Sequence, residues 1–313
     1  MTAYLIRRLA QLVPVLIVVS MVLFALLRLL PGDPTTEILG QEASEADRAA
    51  LRADLGLDAP VWQQYLNWTG GALTGDLGRS WLTNEQVGTV ILDRLPATVE
   101  LGLIAIVLTI LIGLPAGIIA AVRSRTKTDA VMTTASVFAL STPHFYLAAL
   151  LILVFGLWLR ILPPSGYVPF TEDPVQNLLH MVLPAITIGS TIIAVIMRQT
   201  RGSLLAALGE DYVRTARASG LAQRRIVTVY ALRNAVVPVV TVAALQIGAL
   251  MSATVVTEAV FTVPGMGTLI VNAIFSRDLP IVQGAVLVVV VFVLLVNLLA
   301  DLLYARLDPR ITY

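Results

Sequence analysis

Long apolar runs separated by short polar stretches dominate the chain. Six of them approach or exceed the roughly 20 residues that a helix needs to cross a bilayer: residues 9–30, 97–122, 130–159, 181–197, 236–256 and 281–303. The third is long enough to tilt or to extend past the bilayer, and the fourth is short and contains Pro184. Leu, Val, Ile and Ala fill every face of these runs without period-2 alternation, which predicts helices rather than barrel strands. Arg7 and Arg8 precede the first run, as in a secretory signal. Signal cores are shorter, roughly 7–15 residues, and Leu29-Leu30-Pro31-Gly32-Asp33 is a poor cleavage site. The first run therefore reads as an uncleaved anchor.

Composition agrees with the pattern. Of 313 residues, 57% are hydrophobic and 13% charged, with mean hydropathy +0.85. A soluble domain carries about 25% charged residues, so soluble domains are excluded. The absence of cysteine removes disulfides and thiol chemistry, and two histidines, His144 and His180, argue against a histidine-built metal site from this chain alone. The net charge of +1 argues against nucleic acid as a partner.

That figure hides a strong polarity. The N-terminus, the 2–3 loop, the 4–5 loop and the tail hold 14 basic against 5 acidic residues, a net of +9. The alternate loops hold 6 against 14, a net of −8. By the positive-inside rule the first set is cytoplasmic, which predicts six spans with both termini inside.

The expected organisation is a cytoplasmic N-terminus and first helix over 1–30, an extracytoplasmic loop over 31–96, and a five-helix core over 97–305. A cytoplasmic loop at 198–235 and a tail over 306–313 complete it. In the long loop, Ser44 is a candidate N-cap with Asp47 three residues on and Ala50, Leu51, Leu55 and Leu57 following along one face. Trp62, Tyr65 and Trp68 follow at spacing 3, the pattern of a helix at the membrane interface. The loop reads either as a cap tied to the headgroups or as a landing surface for a soluble partner. Glu258 precedes Phe261-x-x-Pro264-Gly265-Met266-Gly267, a segment able to form a broken element beside a watery cavity. Glu258, Phe261, Pro264, Gly265 and Gly267 are the gate or cavity candidates. A carboxylate there can equally face water or cap the next short helix.

The spans carry almost no ionisable residues: Arg28 is near the end of span 1 and Glu100 sits at the start of span 2. A proton-driven pump needs a chain of intramembrane carboxylates, so that class is disfavoured, as is a channel with a filter-like repeat. Gly113 and Gly117, four apart, allow close helix packing, and Pro143, Pro184 and Pro238 can kink spans 3, 4 and 5. A membrane hydrolase built on Ser190 and His180 fails on spacing, since ten residues along one helix is about 15 Å.

The 4–5 loop carries the strongest signal. From Glu210 to Leu221 it reads as a short helix, with Glu210 and Asp211 at its start and Gly220 as its stop. A second helix from 222 to 232 leads back to Asn234 and Pro238. Such a helix either rests on anionic headgroups or seats in a groove on a cytoplasmic partner.

Asp211-Tyr212-x-x-Thr215-Ala216-Arg217-Ala218-x-Gly220-Leu221, followed by Leu232-Arg233-Asn234-Ala235-x-x-Pro238, resembles the EAA loop of ABC importer permeases in its peptide-importer form. Tyr4-Leu5-x-Arg7-Arg8, Leu29-x-Pro31-Gly32-Asp33-Pro34, Leu55-Gly56-Leu57-Asp58-x-Pro60, Gly75-Asp76-Leu77-Gly78-x-Ser80, Leu95-Pro96-x-Thr98-x-Glu100-Leu101 and Leu307-Asp308-Pro309-Arg310 extend the resemblance along the chain. The general pattern has Glu where this chain has Arg214 and Pro where it has Arg233, departures usual in the peptide branch. The resemblance to the dipeptide/oligopeptide permease family implies an all-α polytopic membrane protein with six transmembrane helices and the type I importer fold. It implies a non-catalytic half-channel in a bacterial cytoplasmic membrane, paired with a sister permease, two ABC ATPase subunits and an extracytoplasmic substrate-binding protein. Glu210, Asp211, Tyr212, Arg214, Thr215, Ala216, Ala218, Gly220 and Leu221 would couple to the ATPase. ATP and Mg would belong to those ATPases, because this chain has no G-x-x-x-x-G-K-[ST] phosphate loop and binds no cofactor itself. The family's members import dipeptides, longer peptides, nickel complexes, glutathione or oligosaccharides.

Overall fold

The computed structural model describes residues 2–28, 33–40 and 42–307. Side chains are described within those residues except at 2–9, 37, 244, 247–253 and 300–307. The motifs at 4–8 and 307–310 and the 29–32 part of the first-span motif thus fall wholly or largely outside the described side chains.

The described residues are helical apart from connections and one isolated bridge, Arg79 with Gln86. The helices are α1 (Thr2–Arg28), α2 (Pro34–Leu39), α3 (Glu45–Asp54), α4 (Val61–Thr74), α5 (Val87–Val122), α6 (Lys127–Ser141), α7 (His144–Leu151), α8 (Pro174–Gly209), α9 (Asp211–Ala218), α10 (Gln223–Arg225), α11 (Leu232–Phe261), α12 (Met266–Phe275) and α13 (Leu279–Leu307). Two π-helical segments, Ile152–Trp158 and Ile226–Ala231, continue α7 and join α10 to α11.

Among the described residues, five stretches are single helical runs long and apolar enough to cross a membrane: Ala10–Arg28, Val87–Val122, Pro174–Gly209, Gln223–Ala243 and Leu279–Leu299. These correspond to the expected first, second, fourth, fifth and sixth spans. At 36 residues each, α5 and α8 are about 54 Å long and exceed a hydrocarbon core of about 30 Å. The third expected span is not one helix. It is α6 followed by 144–158, bent by 115°. Pro143 ends α6: its ring disfavours the helical region for the residue before it, and Thr142 is extended at φ −89°, ψ 124°.

The chain divides into two compact units, Met1–Thr98 with Pro264–Leu294 and Val99–Val263 with Leu295–Tyr313. In the first, Leu27, Val87, Ile91, Met266, Ala273, Ile281, Val282 and Ala285 form the buried core. Ser44 caps α3 as expected, accepting from the N–H of Asp47 at 3.2 Å. Asp33 caps α2 through the N–H of Thr35 at 3.0 Å and pairs with Arg52 of α3 at 3.0 Å. Burial works to raise the Asp33 carboxyl pKa. The Thr35 N–H and hydroxyl, with the charges of Arg52 and Arg48, outweigh it and hold the group below its usual value.

The aromatic stripe of α4 divides. Trp62 is 66% exposed, whereas Tyr65 and Trp68 pack on Phe24 of α1 at ring distances of 5.5 and 6.0 Å. The Tyr65 and Ser20 hydroxyls share a hydrogen bond of 2.8 Å. Two of the three rings therefore anchor α4 to the first span.

Ser80 explains part of the Gly75–Ser80 motif. Its hydroxyl donates to the buried carboxylate of Asp278, which also accepts from the Trp81 N–H at 3.2 Å. The same hydroxyl accepts from the N–H groups of Leu82 and Thr83. Asp278→Ala removes the acceptor for both groups, and a buried donor without a partner costs about 1–3 kcal/mol. We expect a lower thermal midpoint for the purified protein, while Asp76→Ala at the exposed end of the motif stays closer to the parent.

In the second unit, α8 packs against α6, α7 and α11. The glycine pair of α5 meets α8: a Cβ on Gly117 would stand 2.5 Å from the Thr200 Cβ and 2.6 Å from the Met197 carbonyl oxygen, and one on Gly113 would stand 3.0 Å from the Ile193 oxygen. Arg201 of α8 grips Asp129 of α6 with Nε and Nη2 at 2.6 and 2.8 Å, and the Arg125 N–H adds a bond of 2.9 Å. The α5–α6 turn is thereby fastened to the end of α8 that leads into α9.

Candidate functional site

The helix expected from Glu210 to Leu221 is present as α9, with Glu210 extended at the N-cap and Gly220 left-handed at φ 75°. Only two of its residues, Val213 and Ala216, are buried, and they form a small cluster with Ile226 against which Leu208 and Leu221 pack. Asp211, Tyr212, Arg214, Thr215, Arg217 and Ala218 are exposed. The coupling candidates therefore fall into two groups. Ala216, at 6% exposure, and Leu221 hold α9 to its own chain. Glu210, Asp211, Tyr212, Arg214, Thr215, Ala218 and Gly220 are open to a partner.

Sequence reasoning did not pair Tyr212 with Asn234. The Asn234 side-chain amide donates to the Tyr212 hydroxyl at 3.0 Å, tying the start of α9 to the start of α11. Both lie in the motif, but 22 positions apart no periodicity joins them. The expected second helix, 222–232, runs without a stop through α10 and the π segment into α11. A π segment inserts an extra residue into a turn, so the return path from α9 carries a local irregularity next to the Val213–Ala216–Ile226 cluster.

Gly220 is required by its backbone. A Cβ there would meet nothing within 4 Å, but a left-handed conformation costs an ordinary L-residue about 1–2 kcal/mol, with Asn among the tolerated exceptions. Gly220→Asn is expected to retain transport, and Gly220→Val to lose a substantial part of it. Uptake assays at matched expression compare the two.

The gate candidates are enclosed. Glu258 is 0% and Phe261 1% exposed in the second unit, so Glu258 does not face solvent in this chain. Thr262, left-handed at φ 57°, ends α11, and the Phe261 carbonyl accepts from the Gly166 N–H at 2.8 Å. In the first unit Gly265 is the N-cap of α12, and the Met266 N–H donates to the Thr98 hydroxyl at 2.7 Å. Gly265 and Gly267 are buried and Pro264 partly so. The break expected within this segment is present between Phe261 and Met266.

Nearby in sequence to these groups, Glu100 accepts from the Tyr167 hydroxyl at 3.1 Å. Burial first, then the charge of Glu100 and this bond, push the Tyr167 pKa up to about 12, so it remains a donor at neutral pH. Ser190 donates to the Thr187 carbonyl at 2.8 Å, and Nδ1 of His144 donates to the same oxygen at 3.1 Å. His180 Nδ1 donates instead to the Gln176 carbonyl. No serine–histidine bond is formed among these three.

In the second unit a short exposed helix, α9, is carried between two long apolar helices, α8 and α11. The family model for binding-protein-dependent transport system inner membrane components matches residues 113–313, and that for the N-terminal part of such membrane components matches residues 1–102. The chain belongs to this family, the non-catalytic permease subunits of ABC importers, and is a multi-pass membrane protein that works with a partner permease and ATPase.

The dipeptide transport system permease protein DppB of Escherichia coli (strain K12) is 39% identical over 337 residues, spanning 100% of this chain and 99% of the relative. The di/tripeptide transport system permease protein DppB of Pseudomonas aeruginosa (strain UCBPP-PA14) is 40% identical over 334 residues, with the same spans. A putative peptide transport system permease protein of Brucella abortus (strain 2308) is 38% identical over 313 residues, spanning 100% of both. Among solved structures, the inward-facing MetNI methionine ABC transporter matches with a TM-score of 0.57 and 16% identity, over 70% of this chain and 96% of that one. That likeness shows the type I importer permease fold.

Proposed function

We propose that this chain forms half of the translocation channel for peptides or a related small solute, in an ATP-driven importer fed by an extracytoplasmic binding protein. The sister half is a distinct permease subunit, and two ABC ATPases that bind ATP and Mg sit on the cytoplasmic side. The named transport of dipeptides, di- and tripeptides and peptides by relatives at 38–40% identity along the whole chain supports the cargo class. The basic excess of the N-terminus, 2–3 loop, 4–5 loop and tail supports placing both termini and residues 198–235 in the cytoplasm of a bacterial inner membrane. Residues 31–96 then lie outside, 97–305 form the core and 306–313 a cytoplasmic tail.

The observation that carries the mechanism is the two-sidedness of α9: Val213 and Ala216 anchor it while Asp211, Arg214, Thr215 and Ala218 stand open. Such a helix passes motion of an ATPase groove into α8 and α11, the helices to which its ends are joined. The Arg201–Asp129 grip and the Asn234–Tyr212 bond stiffen that path. Glu258, Phe261, Pro264, Gly265 and Gly267 are proposed as pathway or gate residues.

The test is ATP-dependent uptake of labelled dipeptides and tripeptides by proteoliposomes holding the complete transporter and its binding protein. Uptake that requires ATP and competes with unlabelled peptide is expected. Uptake that survives without ATP favours an uncoupled carrier or channel and sinks the reading.

A further inference from the structure

The return from α9 passes through the π segment Ile226–Ala231, where the Leu232 N–H donates five residues back to the Val227 carbonyl. Both flanks are helical, Arg225 at φ −69°, ψ −37° and Leu232 at φ −63°, ψ −37°. One residue more than an α-helix needs is therefore wound into this turn. The Thr228 hydroxyl donates to the Arg224 carbonyl at 2.9 Å, a side-chain bond that loosens the backbone ladder at the same place. Two packed groups meet here. Ile226 is buried with Val213 and Ala216 of α9. The next residue, Val227, is buried with Ala231 and Ala235 against Ala121 of α5 and Leu204 and Ala207 of α8. An α-helix turns about 100° per residue, so removing the extra residue would put Ile226 and α11 out of phase by that angle. While α9 and the length of α11 stay packed, the extra residue can move along the helix but cannot disappear.

The same helix offers a second place for it. Pro238 stands inside α11, and without an N–H it leaves the Asn234 carbonyl short of its α-helical donor. A turn that already lacks this bond gives up least by taking in a residue. Between the two places lies Asn234, whose side chain is bonded to Tyr212 of α9 at 3.0 Å. We propose that the extra residue is the moving part of the coupling, held at Ile226–Ala231 in this state and in the turn ending at Pro238 in the other. Its passage turns the stretch from Leu232 to Asn234 by about 100° and advances it by about 1.5 Å. Asn234 then leaves Tyr212, and Ala231 leaves its contact with α8. The inference rests on α9 as the coupling helix and gives that reading its mechanical step. A discrete change of register, with two packed groups biasing it from either side, carries motion from α9 into α11.

Hydrogen exchange of the complete transporter with its binding protein, read by mass spectrometry, compares the nucleotide-free state with that trapped by ATP and vanadate. Amides of residues 226–232 and of 233–237 are expected to change in opposite senses, one stretch gaining protection as the other loses it. Deleting Val229 winds the return path into unbroken α-helix, and should abolish ATP-driven uptake while ATP hydrolysis continues. Val229 is 54% exposed, so Val229→Ala, which keeps the residue count, should transport as the parent does. Pro238→Ala removes the second place and should also abolish uptake. Exchange that changes in the same sense in both stretches, or in neither, overturns the proposal. ATP-driven uptake by the deletion variant or by Pro238→Ala overturns it too. The exchange comparison uses the parent protein, so it decides the matter even where the deletion variant does not fold. Parent uptake that needs ATP, without opposed exchange, sinks this inference and leaves the proposed function standing.

Discussion

Ala216→Trp abolishes uptake, and it does so from inside the subunit. Ala216 is enclosed with Val213 and Ile226, and α9 has no other buried residue to hold it. An indole cannot enter that cluster, and overpacking costs about 1–3 kcal/mol, occasionally more. A helix of 8 residues anchored at two points yields before its surroundings do. The Asn234–Tyr212 bond is then lost with it. Transport and transport-stimulated ATPase activity should fall to background, and trypsin should cut faster at Arg214 and Arg217. Ala218→Trp gives a contrasting result. Ala218 is exposed, so α9 should keep its trypsin resistance while the ATPase dissociates more readily. If Ala216→Trp leaves both uptake and proteolysis unchanged, Ala216 is not an anchor.

Gly117→Leu is expected to remove most of the folded protein. The contacts of a Cβ at this position fall at 2.5 Å from a side chain and 2.6 Å from the Met197 carbonyl oxygen, and the second is backbone that no rotamer change can clear. The α5–α8 seam would have to open, and small residues at such seams are what allow membrane helices to approach. Little monodisperse protein should survive size exclusion in mild detergent. Gly202→Leu on α8 is the control, because a Cβ there meets nothing within 4 Å. In a helix interior the change from glycine can even add a fraction of a kcal/mol, about 0.5–1 for Gly to Ala. Equal yields of the two variants would contradict the packing described here.

Local rules made the short elements legible. The bounds of α9 follow from Glu210 and Gly220, and the N-cap of α3 from Ser44, because caps depend only on neighbouring residues. Apolar length located the continuous spans for the same reason. It did not reveal the turn inside the third, since composition reports what a segment can be buried in and not whether its axis is continuous. Pro143 was visible as a kink, but a bend of 115° depends on the packing of α7 against α8 and α11. Spacing 3 puts Trp62, Tyr65 and Trp68 on one face of α4, and Phe24 of another helix decides which of them are covered. Ser80 with Asp278 and Tyr212 with Asn234 are pairs that only tertiary structure creates. The motif around α9 does not separate the residues that hold the helix from those that face outward. That division rests on burial.

The measurement that bears most directly on the account uses the absence of native cysteine. A single cysteine at Ala218 and, separately, one at Ala216 are placed in the complete transporter, and each is treated with a short bifunctional cross-linker. The account predicts that Ala218→Cys joins this chain to an ATPase subunit, in a yield that changes when ATP is bound, and that Ala216→Cys does not. Cross-linking from position 216 but not 218, or none from either in an active transporter, would contradict α9 as the seat of coupling.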